Sequence, residues 1–177
     1  MTVLVFDNTP LSHFARANSL GVLERLTSGF RRVAPAEVIR ELIAGVPQHP
    51  SLSAAIGLPW LEIVELDEVA EVVAFARYKA ELGGGVERNN GESAVLAWSN
   101  VHSAVALIDE RAGTRCARRD NIEVHGTMWL ITNAVRDGLL TKPAATKMVD
   151  LLAATDMALP TDGAGFFTWA HEEGLLP

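Results

Sequence analysis

The stretch Val3-Leu4-Val5-Phe6-Asp7 decides the fold class of this chain. Its four consecutive apolar residues predict a strand that is buried on both faces, as strands are in the middle of a parallel sheet. Asp7 ends this strand. Residues 104–108 predict a second buried strand, which ends at Asp109. Parallel pairing of the two strands would place both carboxylates side by side at one edge of the sheet.

The rest of the chain alternates helical and extended patterns. Thr9-Pro10 has the form of an N-cap followed by a first-turn proline, while Pro35 and Asp67 give similar start signals. Gly83-Gly84-Gly85 ends the helix that Asp67 starts and is interpreted as a flexible joint. We expect helices at 9–17, 20–26, 35–45, 67–82, 90–100, 112–119, 128–136, 143–154 and 163–173, and further strands at 31–34, 60–66 and 122–124. Such alternation predicts an α/β sandwich with a mainly parallel central sheet, whose ligands bind beyond the carboxyl ends of the strands.

Length and composition favour one compact domain. The chain has 177 residues, of which 49% are hydrophobic, so we expect a single domain over 1–177. Its apolar runs are far shorter than the ~20 residues of a membrane span, and its start lacks a basic leader with a cleavage site. We therefore expect a soluble, cytoplasmic protein without membrane contact. The single cysteine, Cys116, excludes an internal disulfide.

The net charge of -7 argues against a uniformly basic surface that grips nucleic acid. Any such site must be local. The one dense group of cations follows Asp109-Glu110 directly and consists of Arg111, Arg115, Arg118 and Arg119. A solvated helix face and a phosphate-binding strip both agree with this pattern.

Two further carboxylates lie at positions where they could join Asp7 and Asp109. Glu92 lies in the first turn of its predicted helix, and Glu41 lies within an amphipathic helix. Taken alone, a first-turn glutamate is typical of a partner for the helix dipole. A glutamate inside a helix is typical of a solvated side chain, so neither residue by itself indicates a metal site.

Taken in order, four segments resemble the PIN-domain nucleases, especially the toxins of bacterial toxin–antitoxin pairs. These segments are Asp7-Asn8-Thr9 with Leu11, the helix Pro35-Ala36-Glu37-Val38-Ile39-Arg40-Glu41-Leu42, Gly91-Glu92-Ser93-Ala94, and Leu107-Ile108-Asp109-Glu110. Gly126-Thr127 also recurs in one PIN subgroup after the third strand. The resemblance implies a PIN-like three-layer α/β/α sandwich with its core at about 1–140 and added C-terminal helices at about 141–177.

The resemblance also implies a metal-dependent endoribonuclease, the toxin of such a pair. Mg²⁺ or Mn²⁺ would be bound by Asp7, Glu41, Glu92 and Asp109, with Glu110 as a replacement or additional ligand and Glu37 as the alternative to Glu41. Oxygen ligands without histidine or cysteine fit these hard ions. Many PIN toxins carry serine or threonine soon after the first aspartate, whereas here Asn8 intervenes before Thr9. Asn8 and Thr9 would therefore have only supporting roles in substrate binding. Arg111, Arg115, Arg118 and Arg119 would hold RNA phosphates.

Other interpretations remain open. The chain could be a catalytically weak PIN-fold module that pairs with an antitoxin or with itself as a homodimer. The apolar segment Gly165-Phe166-Phe167-Thr168-Trp169 fits such a surface as easily as it fits the core. A phosphotransferase with an aspartate nucleophile is disfavoured, because it requires a second aspartate where Thr9 stands. We also expect no catalytic histidine, and we interpret the tryptophans, Trp60, Trp98, Trp129 and Trp169, as core or interface residues.

Overall fold

The centre of the computed structural model, which describes residues 1–86 and 88–177, is a sheet of five parallel strands. The strands are β1 Val3–Phe6, β2 Arg31–Pro35, β3 Glu62–Val64, β4 Val105–Leu107 and β5 Val124–His125, in the spatial order β3-β2-β1-β4-β5. Helices flank this sheet, which confirms the predicted α/β fold with a parallel centre. The short strands at 31–34, 60–66 and 122–124 are found within one or two residues of β2, β3 and β5.

Strand β1 occupies the middle of the sheet because it has no polar residue to expose. Leu4, Val5 and Phe6 are completely buried. β1 pairs with β4 in the register Phe6 to Leu107, and the Asp7 amide donates to the Leu107 carbonyl at 3.2 Å. The ends of these two strands therefore lie together, as predicted from their apolar patterns.

The helices carry the side chains that surround this edge. They are α1 Asn8–Arg16, α2 Leu20–Leu26, α3 Ala36–Gly45, α4 Val69–Leu82, α5 Asn90–His102, α6 Arg111–Arg119, α7 Thr127–Arg136, α8 Lys142–Ala153 and α9 Phe166–Glu172. A short 3-10 helix at Pro50–Ala55 was not among the expected helices.

Three start signals are wrong in detail. Thr9 does not cap α1, because this helix begins at Asn8 and its N-cap is Asp7. Pro35 closes β2 and precedes α3 instead of lying in the first helical turn. Asp67 does not cap α4. Glu68 is the N-cap, and its side chain and that of Glu71 exchange bonds with each other's backbone amides in a capping box. Gly83 follows α4 with a φ of +66°, which explains why glycine ends this helix.

The helices on both faces bury one hydrophobic cluster that extends from Leu4 to Phe166. It includes Met148, Val149 and Leu152 of α8, so this C-terminal helix packs on the same core as the sheet. Over the described part of the chain, every helix is too short or too polar to cross a bilayer.

Candidate active site

Asp7 is the most deeply buried of the predicted ligands. It follows β1 and is 4% exposed. Burial, together with the nearby charges of Glu92 and Glu41, raises the pKa of Asp7 to about 7, although the backbone amides of Asn8 and Thr9 oppose the shift. Carboxylates from β1, α3 and α5 are thus close enough to act on one another.

Backbone amides in the first turns of two helices donate hydrogen bonds to two of these carboxylates. The Gly91 amide donates to Glu41 Oε1 at 2.7 Å, and the Gly113 amide donates to Glu92 Oε1 at 3.0 Å. Gly91 lies in the first turn of α5 and Gly113 in the first turn of α6, where unpaired amides attract anions. Burial nevertheless raises the pKa of both glutamates.

Asp109 is held in the same way by the start of α7. The Thr127 amide donates to Asp109 Oδ1 at 2.8 Å, and the Thr127 hydroxyl donates to Oδ2 at 2.8 Å. Burial raises the pKa of Asp109, and these two bonds limit that rise. Thr127 is completely buried, so its hydroxyl is fixed on the carboxylate. The Gly126-Thr127 pair noted in the sequence therefore positions the carboxylate that ends β4.

Three glycines lie against these carboxylates, and the absence of a Cβ atom at each makes room for a carboxylate. A Cβ at any of them would overlap a carboxylate oxygen: Gly91 with Glu41 Oε2 at 2.6 Å, Gly126 with Asp109 Oδ1 at 2.8 Å, and Gly113 with Glu92 Oε1, which would be closer still. Each glycine therefore lets one carboxylate lie directly against the backbone of a neighbouring element. The carboxylates occupy shaped recesses and are not freely solvated.

The side-chain oxygens of the four predicted ligands do not lie as close together as ligand atoms around a bound metal ion. Within 1–86 and 88–177, the one group of three or more acidic, histidine or cysteine side chains with ligand atoms all within 4.8 Å is Glu68, Glu71 and His102. Like charges repel, and each predicted ligand is held against backbone amides instead. Asp7, Glu41 and Glu92 are coupled through their charges, whereas Asp109 is coupled to the adjacent Glu110.

The group of Glu68, Glu71 and His102 joins two helix ends. Glu71 Oε2 accepts from the Asp67 and Glu68 amides at 3.0 and 2.9 Å, and Glu71 Oε1 lies 2.7 Å from His102 Nε2. Its donor set could hold a divalent ion. However, His102 ends α5 whereas Glu92 begins it, so about 15 Å of helix separates this group from the predicted site. Its hydrogen bonds already serve to cap α4.

A groove of about 990 Å³ opens beside Asp109. One wall carries three of the predicted cations, Arg111, Arg115 and Arg118, with Glu110 at the start of the same helix. Thr9 also lines the groove. The C-terminal part of the chain also lines the groove, through residues that include Met157, Leu159, Trp169 and Leu175.

Arg119 lies apart from this groove. It pairs with Glu81 of α4 and with Asp120, whose Oδ1 is 2.8 Å from Arg119 Nε. The Asp120 carboxylate also accepts from the Tyr78 hydroxyl at 2.7 Å. Arg119 thus joins α6 to α4, and the geometry gives it no contact with the groove that its three neighbours line.

Two polar atoms close to the predicted ligands lack a partner in the described part of the molecule. Asn8 Oδ1 is buried and accepts no hydrogen bond, although Asn8 adjoins Asp7. Glu37 Oε2 is also buried without a donor, while its Oε1 accepts from Arg40 at 2.8 Å. Glu41, by contrast, is coupled to Asp7 through its charge, which favours Glu41 over Glu37 as the helical ligand.

A family model, DUF3368, described as a PIN domain, matches residues 3–163 of the chain. The chain belongs to the PIN-domain family. PIN domains are generally nucleases and typically use a divalent metal. No curated protein and no solved structure matches the chain.

The residues present at this edge of the PIN fold suit a hard cation. All four predicted ligands are carboxylates, and Asn8 Oδ1 is a buried acceptor without a donor. Such oxygen donors favour Mg²⁺ or Mn²⁺ over softer metals. The glycine recesses hold the carboxylates in place before any ion arrives.

Proposed function

We propose that this PIN domain is a metal-dependent endoribonuclease and the toxin of a toxin–antitoxin pair. Asp7, Glu41, Glu92 and Asp109 bind Mg²⁺ or Mn²⁺, with Glu110 as an additional ligand. The buried carboxylate of Asp7 carries the proposal, since the charges of Glu41 and Glu92 help to raise its pKa to about 7. Carboxylates confined together in this way gain most from a cation.

Residues of the chain orient the groups that would take part in the reaction. When bound, a divalent ion supplies Lewis-acid activation of water and stabilises developing charge on the phosphate. Thr127 keeps Asp109 oriented through two bonds of 2.8 Å. Asn8 Oδ1 offers an unused acceptor for a water proton near Asp7.

Substrate binding falls to the groove. Arg111, Arg115 and Arg118 lie at spacings of four and three residues on α6, which puts them on one side of the helix. Their guanidinium groups pair well with phosphate oxygens. Thr9 supports the substrate from the lining of the groove, and Asn8 supports it from its position next to Asp7.

Variants that remove the charge of a proposed ligand or of a control carboxylate test this assignment. Glu92→Gln and Asp7→Asn should each reduce cleavage of total RNA in Mg²⁺ by ~100-fold or more, because each removes a charge from the proposed site. Glu68→Gln is the matched control, since Glu68 belongs to the other group with metal-ligand spacing. If Glu68→Gln abolishes cleavage and Glu92→Gln does not, the proposed metal site is wrong.

An exposed apolar face on α4 favours a second candidate, a PIN module whose main task is to pair with a protein. Val69, Val72 and Val73 are 81, 50 and 65% exposed and lie on one side of the helix. An antitoxin or a second copy could cover them in the cytoplasm. Sedimentation of the parent and of Val73→Lys would show whether the chain is a homodimer through this face. Cleavage that persists in purified protein would exclude a purely binding role.

A further inference from the structure

Two aromatic rings lie flat against each other at the wall of the groove. His125 ends β5, and Trp129 lies in the first turn of α7. Their ring centroids are 3.9 Å apart and their planes differ by 7°. The Phe30 ring also packs on Trp129, with its centroid 6.4 Å from that of the indole and its plane tilted by 57°. The imidazole thus belongs to a supported group of aromatic rings.

This stack is close to the carboxylate that ends the neighbouring strand. His125 pairs in register with Leu107, two residues before Asp109. Strand spacing then puts the Cα atoms of His125 and Asp109 within roughly 10 Å. Both residues line the same groove, and a quarter of the His125 side chain is exposed. A nucleobase beside the scissile phosphate could therefore reach the ring.

The two walls of the groove differ in chemistry. Arginines of α6 line one part of the groove, whereas His125, Trp129 and apolar tail residues line another, and the lining also includes the carboxylates Asp109, Glu110, Asp156 and Glu173. Cations that follow a phosphate backbone, together with aromatic rings that accept bases, are typical of sites for single-stranded nucleic acid. A duplex keeps its bases stacked and paired, so they are not available to such a ring.

We propose that His125, supported by Trp129, forms a subsite in this groove on which a base of single-stranded RNA stacks. The inference rests on the proposed ribonuclease function. It adds a recognition residue that the metal ligands do not determine.

A second His–Trp pair provides a matched control. His102 lies 4.2 Å from Trp98, but neither ring lines the groove. Binding of a fluorescein-labelled single-stranded RNA of about 12 nucleotides should be measured by anisotropy in EDTA, so that no cleavage occurs. His125→Ala should weaken binding roughly 10-fold or more, whereas His102→Ala should leave it unchanged. His125→Phe should restore most of the binding, since it retains a flat ring.

Three outcomes would overturn the subsite. These are equal losses for His125→Ala and His102→Ala, no recovery with His125→Phe, or a duplex of the same length that binds as tightly as the single strand. Thermal melting of each variant shows whether it is folded. The metal site is tested separately, because Asp7→Asn should bind the single strand in EDTA at least as well as the parent. Unchanged cleavage by Asp7→Asn would reject the proposed metal chemistry but not the stacking subsite.

Discussion

Replacing Asp7 by asparagine should stabilise the metal-free protein at alkaline pH. In the folded chain the pKa of Asp7 is raised from 3.8 to about 7, mainly by burial. An acid whose folded pKa is raised costs stability once it ionises. The cost is absent below about pH 4, grows as the pH rises, and is complete above about pH 7, where a shift of this size corresponds to about 4 kcal/mol. The asparagine side chain carries no charge, and its amide can donate to the nearby glutamates.

Urea unfolding in EDTA between about pH 4 and pH 8 measures this effect. Asp7→Asn should exceed the parent in unfolding free energy by about 2–4 kcal/mol at the upper end, and the gain should vanish at the lower end. Mn²⁺ should stabilise the parent and have less effect on the variant. Asp137→Asn, an exposed change at the end of α7, is the control. A difference between Asp7→Asn and the parent that stays constant across the pH range would refute the reasoning.

Three other changes separate the roles of the site from those of the scaffold. Gly113→Ala should fold but lose about 10-fold or more in Mg²⁺-dependent cleavage, because its Cβ would displace Glu92. Thr127→Val should shift the pH profile of cleavage upward, since the lost hydroxyl bond would let the pKa of Asp109 rise further. Glu71→Gln should lower the unfolding free energy by about 1–3 kcal/mol, measured in urea, and leave cleavage intact.

Each of these predictions has a contrary result. Gly29→Ala is the control for Gly113→Ala, because a Cβ at Gly29 meets nothing within 4 Å. If the two alanine variants cleave equally well, Glu92 is not fixed by the space at Gly113. An unaltered pH profile in Thr127→Val would show that the Thr127 hydroxyl does not affect the ionisation on which cleavage depends. Loss of cleavage in a folded Glu71→Gln protein would instead assign a catalytic role to its cluster.

The strand ends were predictable because they depend on local patterns. An apolar run followed by an aspartate marks both Asp7 and Asp109, and parallel pairing then brings the strand ends together. Glu92 was predictable for a related reason, since it lies in a first helical turn. Its actual partner, the Gly113 amide, belongs to a different helix and could not be inferred from spacing.

The contacts that the sequence did not reveal are those between distant segments. Arg119 belongs to the same basic run as Arg118, yet it pairs with Glu81, 38 residues earlier. Only the packing of α4 against α6 distinguishes the two arginines. His125 and Trp129 are four residues apart, but they lie in a strand and a helix, so a helical periodicity does not identify their stack.

We propose that RNA binds where exposed arginines of the groove adjoin the buried carboxylates. The carboxylates of Asp7 and Glu92 are buried, and backbone amides partly balance them. Arg115 and Arg118 are exposed along the groove, where phosphate can reach them. Screening weakens the exposed cations much more than the buried anions. Added salt should therefore weaken RNA binding while it leaves the binding of Mn²⁺ to the carboxylates largely unchanged.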